Sequence, residues 1–178
     1  MSRLSVVLPA YNEELMIVKA CRTLKKLLDQ ERIPYELVLV DDGSTDETWN
    51  QIEEISMQDL NVTGVHFSRN FGKEAAIIAG LEKAKGDFTV LMDADLQDPP
   101  ALLPEMYGYI EKGYDSVATR RVDRKGEPPI RSFFARRFYG LMRKISKTEI
   151  VDGARDYRLM TRQVTDAILS MREYNRFS

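Results

Sequence analysis

The chain of 178 residues is poor in the groups that commonly staple, anchor or energise a protein. It has one cysteine, Cys21, and one histidine, His66. A lone cysteine excludes an intrachain disulfide, and Cys21 falls within an apolar helical stripe, where a thiol behaves as a small buried hydrophobe. That usage is consistent with a reducing compartment. No signal-peptide pattern opens the chain, and nowhere do the roughly 18 apolar residues of a membrane-spanning helix run together. The polypeptide is therefore not expected to span a bilayer by itself. Neither the Gly-x-Gly-x-x-Gly dinucleotide fingerprint nor a Gly-x-x-x-x-Gly-Lys phosphate loop occurs, which argues against dehydrogenase and P-loop chemistry. Net charge is only −2, from 26 basic and 28 acidic residues, so no global field invites nucleic acid, and no nucleic-acid partner is expected. There is no internal repeat, low-complexity tract or linker.

What is present is enough apolar material, 43%, for one ordinary core. Short β-rich runs alternate with helical stretches. Leu4–Pro9 is followed by a helix over Glu13–Gln30, with Ile17, Cys21, Leu24 and Leu28 at helical spacing. Glu36–Val40 leads through Asp41-Asp42-Gly43-Ser44-Thr45-Asp46-Glu47 into a helix reaching Met57, and Ser44 with Glu47 fits a capping box. Val62–Phe67 precedes a helix over Phe71–Ala84 for which Asn70 is a candidate N-cap, and Phe88–Met92 precedes a prolyl helix start at Asp98-Pro99-Pro100. A fifth strand is expected at Asp115–Thr119 and a last helix at Thr161–Met171. The first, second and fourth runs are apolar on both faces, as in a parallel sheet covered by helices on each side. His66, inside the third run, reads as a packed or edge histidine in preference to a catalyst.

Charge is unevenly placed. Residues 120–147 carry ten Lys/Arg against two acids, a local +8 that leaves −10 on the remaining 150 residues. Within it, Ile130–Ile145 reads as a basic amphipathic helix, with Phe134 and Phe138 on its apolar stripe. Those aromatics, with Phe133, suit either a lipid interface or the protein's own core.

Ligands of open α/β sheets bind beyond the carboxyl ends of the strands. Three polar clusters fall there: Pro9-Ala10-Tyr11-Asn12-Glu13, Asp41-Asp42-Gly43-Ser44 and Asp93-Ala94-Asp95. Two carboxylates one residue apart raise each other's pKa unless a cation relieves them. A divalent ion does so simply, since Mg²⁺ takes one or two protein carboxylates and completes its octahedron with water and phosphate oxygens. The plainer alternative is a solvated turn whose acids cap the next helix. Tyr11 suits stacking on a base or packing on the sheet edge, and Asp42 suits accepting hydrogen bonds from a base imide or a ribose. Asp46 and Glu47 are explained by helix capping alone.

Together with Arg69-Asn70-Phe71-Gly72-Lys73, Asp93-Ala94-Asp95-Leu96-Gln97-Asp98-Pro99-Pro100 and Asp156-Tyr157-Arg158, these clusters resemble family 2 glycosyltransferases over essentially the whole chain. Within that family the pattern is most similar to the polyprenyl-phosphate hexose transferases, relatives of dolichol-phosphate mannose synthase. The resemblance implies an α/β, Rossmann-like nucleotide-diphospho-sugar transferase (GT-A) fold with a mostly parallel sheet flanked by helices. It implies nucleotide contacts from Pro9, Tyr11, Glu13, Asp42 and Asp93. It further implies an Mg²⁺ or Mn²⁺ site at Asp93, Asp95 and Gln97, where the Gln97 amide either completes the site or points into solvent.

It also gives Asp156, with Asp95, a catalytic place, Asp156 being the base position of an inverting displacement. A lipid monophosphate has its second pKa near 6 and arrives ionised, so Asp156 is read mainly as orienting the acceptor or taking a residual proton. A structural pair with Arg155 or Arg158 is the alternative. Arg120, Arg121, Arg131 and Arg158 are candidates for binding phosphate or acceptor, because a guanidinium pairs bidentately with phosphate; the alternative is solvated surface. Lys73 is a candidate sensor of donor phosphate or sugar.

The expected activity is transfer of a hexose from a nucleoside-diphosphate sugar, UDP-glucose as first guess, to polyprenyl phosphate at the cytoplasmic face of a membrane. Residues 120–147 would then meet the membrane surface, where each nearby Lys or Arg contributes about 1 kcal/mol of attraction. A saccharide or protein acceptor is one alternative, and a noncatalytic nucleotide-sugar-binding domain is another. Residues 1–178 are expected to form a single catalytic domain that relatives extend at the C-terminus, and self-association into a homo-oligomer is open.

Overall fold

A computed structural model of the chain describes residues 2–120 and 154–170, the side chains of 120 and 154–156 excepted. Two compact units divide the chain, residues 1–117 with 156–178, and residues 118–155. The second unit is described only at its two ends, and the architecture below is that of the first.

The strands are β1 (Leu4–Ala10), β2 (Tyr35–Asp41), β3 (Val62–His66), β4 (Phe88–Leu91), β5 (Ser116–Arg120) and β6 (Ala154–Thr161). The helices are α1 (Ile17–Gln30), α2 (Thr48–Gln58), α3 (Lys73–Lys83), α4 (Leu103–Glu111, after a 3-10 turn at Pro100–Leu102) and α5 (Arg162–Ser170). One sheet runs β3-β2-β1-β4-β6-β5. β1 pairs in parallel with β2, from Leu4↔Tyr35 to Ala10↔Asp41, and with β4, from Leu4↔Phe88 to Val7↔Leu91. β2 pairs in parallel with β3, whereas β6 is antiparallel to β4.

Chain order thus grows outward from β1 through β2 to β3, then returns to the other side of β1 for β4. The carboxyl ends of β1 and β4 flank the point where the order reverses, which is where an open α/β sheet leaves a crevice. Burial explains why these runs form central strands. Leu4, Val6, Leu8, Val90, Tyr157 and Leu159 pack on one face with Ile17, Cys21, Leu24 and Leu28 of α1, while Val7, Val38, Val40, Leu91 and Met160 pack on the other with Ala76, Ile77 and Leu81 of α3. Both faces are covered, so strands of continuous hydrophobicity are required.

Several expectations are corrected. Helix α1 begins at Ile17, four residues after Glu13, and the N–H groups of Glu13 and Glu14 ahead of it are tied to the Thr48 hydroxyl (2.8 Å) and, in the loop after β2, the Asp46 carboxylate (3.2 Å). Ser44 and Glu47 form no capping box: the Ser44 hydroxyl accepts from the Asn12 N–H at 2.9 Å, and Asp46 accepts the Thr48 N–H at 3.0 Å at the start of α2. Asn70 is not an N-cap. Helix α3 starts from Gly72, whose φ of 98° only glycine adopts without strain, and makes no side-chain capping bond there. Finally, Ala154–Thr161 is a strand to which sequence patterning assigned no element, and Thr161, expected to open the last helix, ends it. The basic stretch Ile130–Ile145, with Phe133, Phe134 and Phe138, lies outside the described residues.

Candidate active site

The loops after β1 and β2 are sewn to each other. In addition to the bonds to Glu13, Glu14 and Asn12, the Thr45 N–H reaches Asn12 Oδ1 at 2.9 Å and the Glu47 N–H reaches Glu14 Oε2 at 3.0 Å. Asn12 takes a left-handed φ of 54°, which asparagine tolerates and which turns its amide towards Thr45. Against some desolvation, the bonds from Thr48 and Glu14 hold the Asp46 carboxyl below its usual range. The polar residues of these two motifs therefore serve chiefly to fix the loop frame.

A third loop is tied to the same frame. Asp42 is almost fully buried, and its two oxygens accept the N–H groups of Phe71 (2.7 Å) and Gly72 (3.0 Å). These bonds satisfy the turn ahead of α3, which is why Asn70 is not needed as a cap. At Gly43, φ 68°, a Cβ would run into the main chain of Arg69, with its carbonyl oxygen 2.7 Å away. Behind the frame, His66 Nδ1 lies 2.7 Å from Oδ2 of the wholly buried Asp41, and its ring stacks on Trp49 with centroids 4.6 Å apart. His66 is thereby a packed edge histidine.

A cleft of about 360 Å³ opens at the switch point. Pro9, Tyr11 and Glu13 line it from the β1 loop, Asp42 from the β2 loop, and Asp93 and Asp95 from the β4 loop, so six of the residues singled out from sequence converge there. Asn70, Gly72 and Lys73 add the start of α3. Tyr11 is 45% exposed, leaving its ring face open for stacking.

The charge of the cleft is concentrated at its β4 side. Burial, followed by the negative charges of Asp95, Asp46 and Asp93, raises the Glu13 carboxyl above its usual range. Lys73 answers part of that charge, with Nζ 2.8 Å from Oδ1 and 3.0 Å from Oδ2 of Asp93. Asp95 Oδ1 accepts the Gln97 N–H at 2.9 Å across a turn in which Leu96 sits at φ 56°. That left-handed backbone costs roughly 1–2 kcal/mol for a residue with a Cβ, the kind of strain functional loops carry. The Gln97 side chain is exposed and does not line the cleft.

Strand β6 bears on the remaining candidates. In its register the last residue of β4, Leu91, faces Arg158. Asp156, two residues before Arg158, lies on the end of β6 that runs past the carboxyl end of β4. Arg158 is half-buried on the same strand face as Met160. Arg120 ends β5, and Arg121 and Arg131 lie outside the described residues.

The arrangement fits a divalent ion of the Mg²⁺ or Mn²⁺ kind. Among the described residues no three His, Cys, Asp or Glu side chains are placed to hold an ion. Two oxygen donors, Asp93 and Asp95, are the usual protein share for an ion that also takes phosphate and water. Lys73 already shows that a cation is drawn to Asp93. What sequence patterning missed is this Lys73–Asp93 pair. The signal was a lysine opening a helix, a position where the helix dipole disfavours positive charge unless an anion lies close.

Comparison with known proteins agrees with this geometry. The model of glycosyl transferase family 2 matches residues 5–169. CsbB of Bacillus subtilis (strain 168), whose name places it among glycosyltransferases, is 40% identical over 175 residues, 98% of this chain and 53% of that protein. The bactoprenol glucosyl transferase of Shigella phage SfV is 36% identical over 175 residues, 98% of this chain and 57% of that one. The chain spans about half the length of the curated relatives it matches. Glucosyl-3-phosphoglycerate synthase from Mycobacterium tuberculosis, solved with Mn²⁺, UDP-glucose and phosphoglyceric acid, superposes with a TM-score of 0.62 at 26% identity, over 92% of this chain and 58% of that one. The mannosyltransferase PcManGT from Pyrobaculum calidifontis, solved with GDP-Man and Mn²⁺, shares the fold at a TM-score of 0.64 and 23% identity, over 94% of this chain and 46% of that one. With its parallel core, its switch-point cleft and a family match over nearly its whole length, this chain belongs to glycosyl transferase family 2 and has the GT-A fold.

Proposed function

We propose that this chain is the catalytic part of an inverting, metal-dependent enzyme that moves a hexose, glucose from UDP-glucose as first choice, to polyprenyl phosphate at the cytoplasmic membrane face. The observation that carries the reading is the convergence of Tyr11, Asp42, Asp93 and Asp95 on one cleft. Relatives named bactoprenol glucosyl transferase support the lipid acceptor. The solved relative with Mn²⁺, UDP-glucose and a phosphorylated acceptor supports the donor and metal.

In this reading the base lies towards Tyr11 and Asp42, and the diphosphate lies towards Asp93 and Asp95. An acceptor phosphate oxygen attacks the anomeric carbon from the face opposite the diphosphate. The new bond joins that carbon to the phosphate oxygen, the bond to the diphosphate oxygen breaks, and the nucleoside diphosphate leaves with the electron pair. A divalent ion held by Asp93 and Asp95 supplies Lewis-acid stabilisation of the leaving charge. Asp156 orients the acceptor and receives any proton left on it. Arg158 from β6, and Arg120, Arg121 and Arg131, are the guanidinium candidates for phosphate. Residues 120–147 supply the positive charge that favours an anionic lipid surface. No helix among the described residues is long and apolar enough to cross a membrane.

The test offers radiolabelled UDP- and GDP-sugars with short polyprenyl phosphates to the protein, with and without Mg²⁺ or Mn²⁺. Label should enter the lipid phosphate only with metal present. Transfer without metal, or to no lipid phosphate from any donor, would reject the proposal.

A further inference from the structure

We infer that Lys73 is a resident counter-cation of the acidic pair, displaced from Asp93 by the incoming divalent ion and then turned towards the donor's diphosphate. This rests on the metal reading above and deepens it. Three observations carry it. Lys73 Nζ contacts both oxygens of Asp93, so it holds the carboxylate face that a metal would use. The pair is cheap to open: Lys73 is 45% and Asp93 36% exposed in their side chains, and ion pairs this accessible contribute little. The main chain beneath Lys73 is fixed by contrast, since Gly72 is bonded to buried Asp42 and Lys73 opens α3.

The helix supplies the second half of the argument. A lysine in the first turn of an 11-residue helix meets the positive end of the dipole, which disfavours it unless an anion is near. Asp93 is that anion in the free protein. When a metal takes Asp93, the nearest anion the reaction offers is the diphosphate, in the same cleft as Gly72, Lys73 and Ala76. The ammonium thus exchanges one negative partner for another, and free metal alone is made to compete with it.

The test measures Mn²⁺ affinity of the nucleotide-free protein by electron paramagnetic resonance, for the parent, Lys73→Met and Lys73→Arg. Releasing a pair this exposed frees Asp93 by up to about fivefold in metal affinity. Lys73→Met should bind Mn²⁺ more tightly than the parent, by up to about fivefold, with Lys73→Arg close to the parent, and Lys73→Met should bind UDP in the presence of Mn²⁺ more weakly. Unchanged or weaker Mn²⁺ binding in folded Lys73→Met would overturn the inference while leaving the metal reading intact, and unchanged UDP affinity would remove its second half. Absence of Mn²⁺ binding by parent and variants alike, with and without UDP, would remove both. Independently of any variant, the ¹³C signal of reductively dimethylated Lys73 in the parent should shift on Mg²⁺ titration. A signal that does not move while Mg²⁺ binds would equally overturn it.

Discussion

Asp42 and Gly72 are joined by a 3.0 Å bond from the Gly72 N–H to a carboxylate that is almost wholly buried, and the second oxygen of Asp42 holds the neighbouring Phe71 N–H. The residue read as a nucleotide contact is thus also the tie between the β2 loop and the start of α3. Asp42→Ala leaves two donors without their partner, at about 1–3 kcal/mol for each one that water cannot reach. It should lower the unfolding midpoint in urea as well as UDP affinity. Asp42→Asn keeps one acceptor oxygen and should retain more stability than Asp42→Ala while still binding UDP less well than the parent. Calorimetric UDP titration beside urea unfolding checks both; an Asp42→Ala protein of parental stability would contradict the tie.

Glu13 gives a pH dependence of definite sign. Its carboxyl is raised, first by burial and then by Asp95, Asp46 and Asp93, so the folded chain holds that proton more tightly than the unfolded chain does. Its contribution favours folding below the ordinary carboxylate range and is lost as pH rises through the raised value. Glu13→Gln removes the dependence. The variant should melt at a higher temperature than the parent near neutral pH, with the difference shrinking towards about pH 4, below the ordinary glutamate value. A difference independent of pH would assign the effect to packing.

Asp156 and Asp95 should separate by pH. An acceptor phosphomonoester with its second pKa near 6 is largely dianionic above neutrality, so proton removal becomes dispensable there while leaving-group stabilisation does not. Asp156→Asn should therefore lose less activity at high pH than at low pH, and Asp95→Asn should be deeply impaired throughout. Rate profiles of both variants decide it. Equal and pH-independent losses would give Asp156 an indispensable role, as a saccharide or protein acceptor would require.

How far residue patterns reach is clear from particular elements. The α1 stripe of Ile17, Cys21, Leu24 and Leu28 is fully buried, and the apolar runs of β1, β2 and β4 are the sheet centre, because continuous hydrophobicity has few other uses. The placing of Tyr11, Asp42, Asp93 and Asp95 in one cleft followed from strand ends in an α/β order. Strand β6 was not legible. Its alternation is confined to Tyr157-Arg158-Leu159, preceded by the charged Arg155-Asp156, and an antiparallel member is not what strand-helix alternation predicts. Capping was misread at Ser44 and Asn70 because the same side chains that cap helices also sew loops, and only distance in space tells the two apart.

If the cleft takes a nucleotide-sugar donor as proposed, the closeness of Gly43 to the main chain of Arg69 limits how that donor can change. No side chain fits between those two loops, and Asp42 beneath them is already committed to the turn before α3. Heritable variation in base preference has little room in that floor. It must enter at the rim, where Tyr11 and Asn70 are exposed and can be exchanged without reopening the frame.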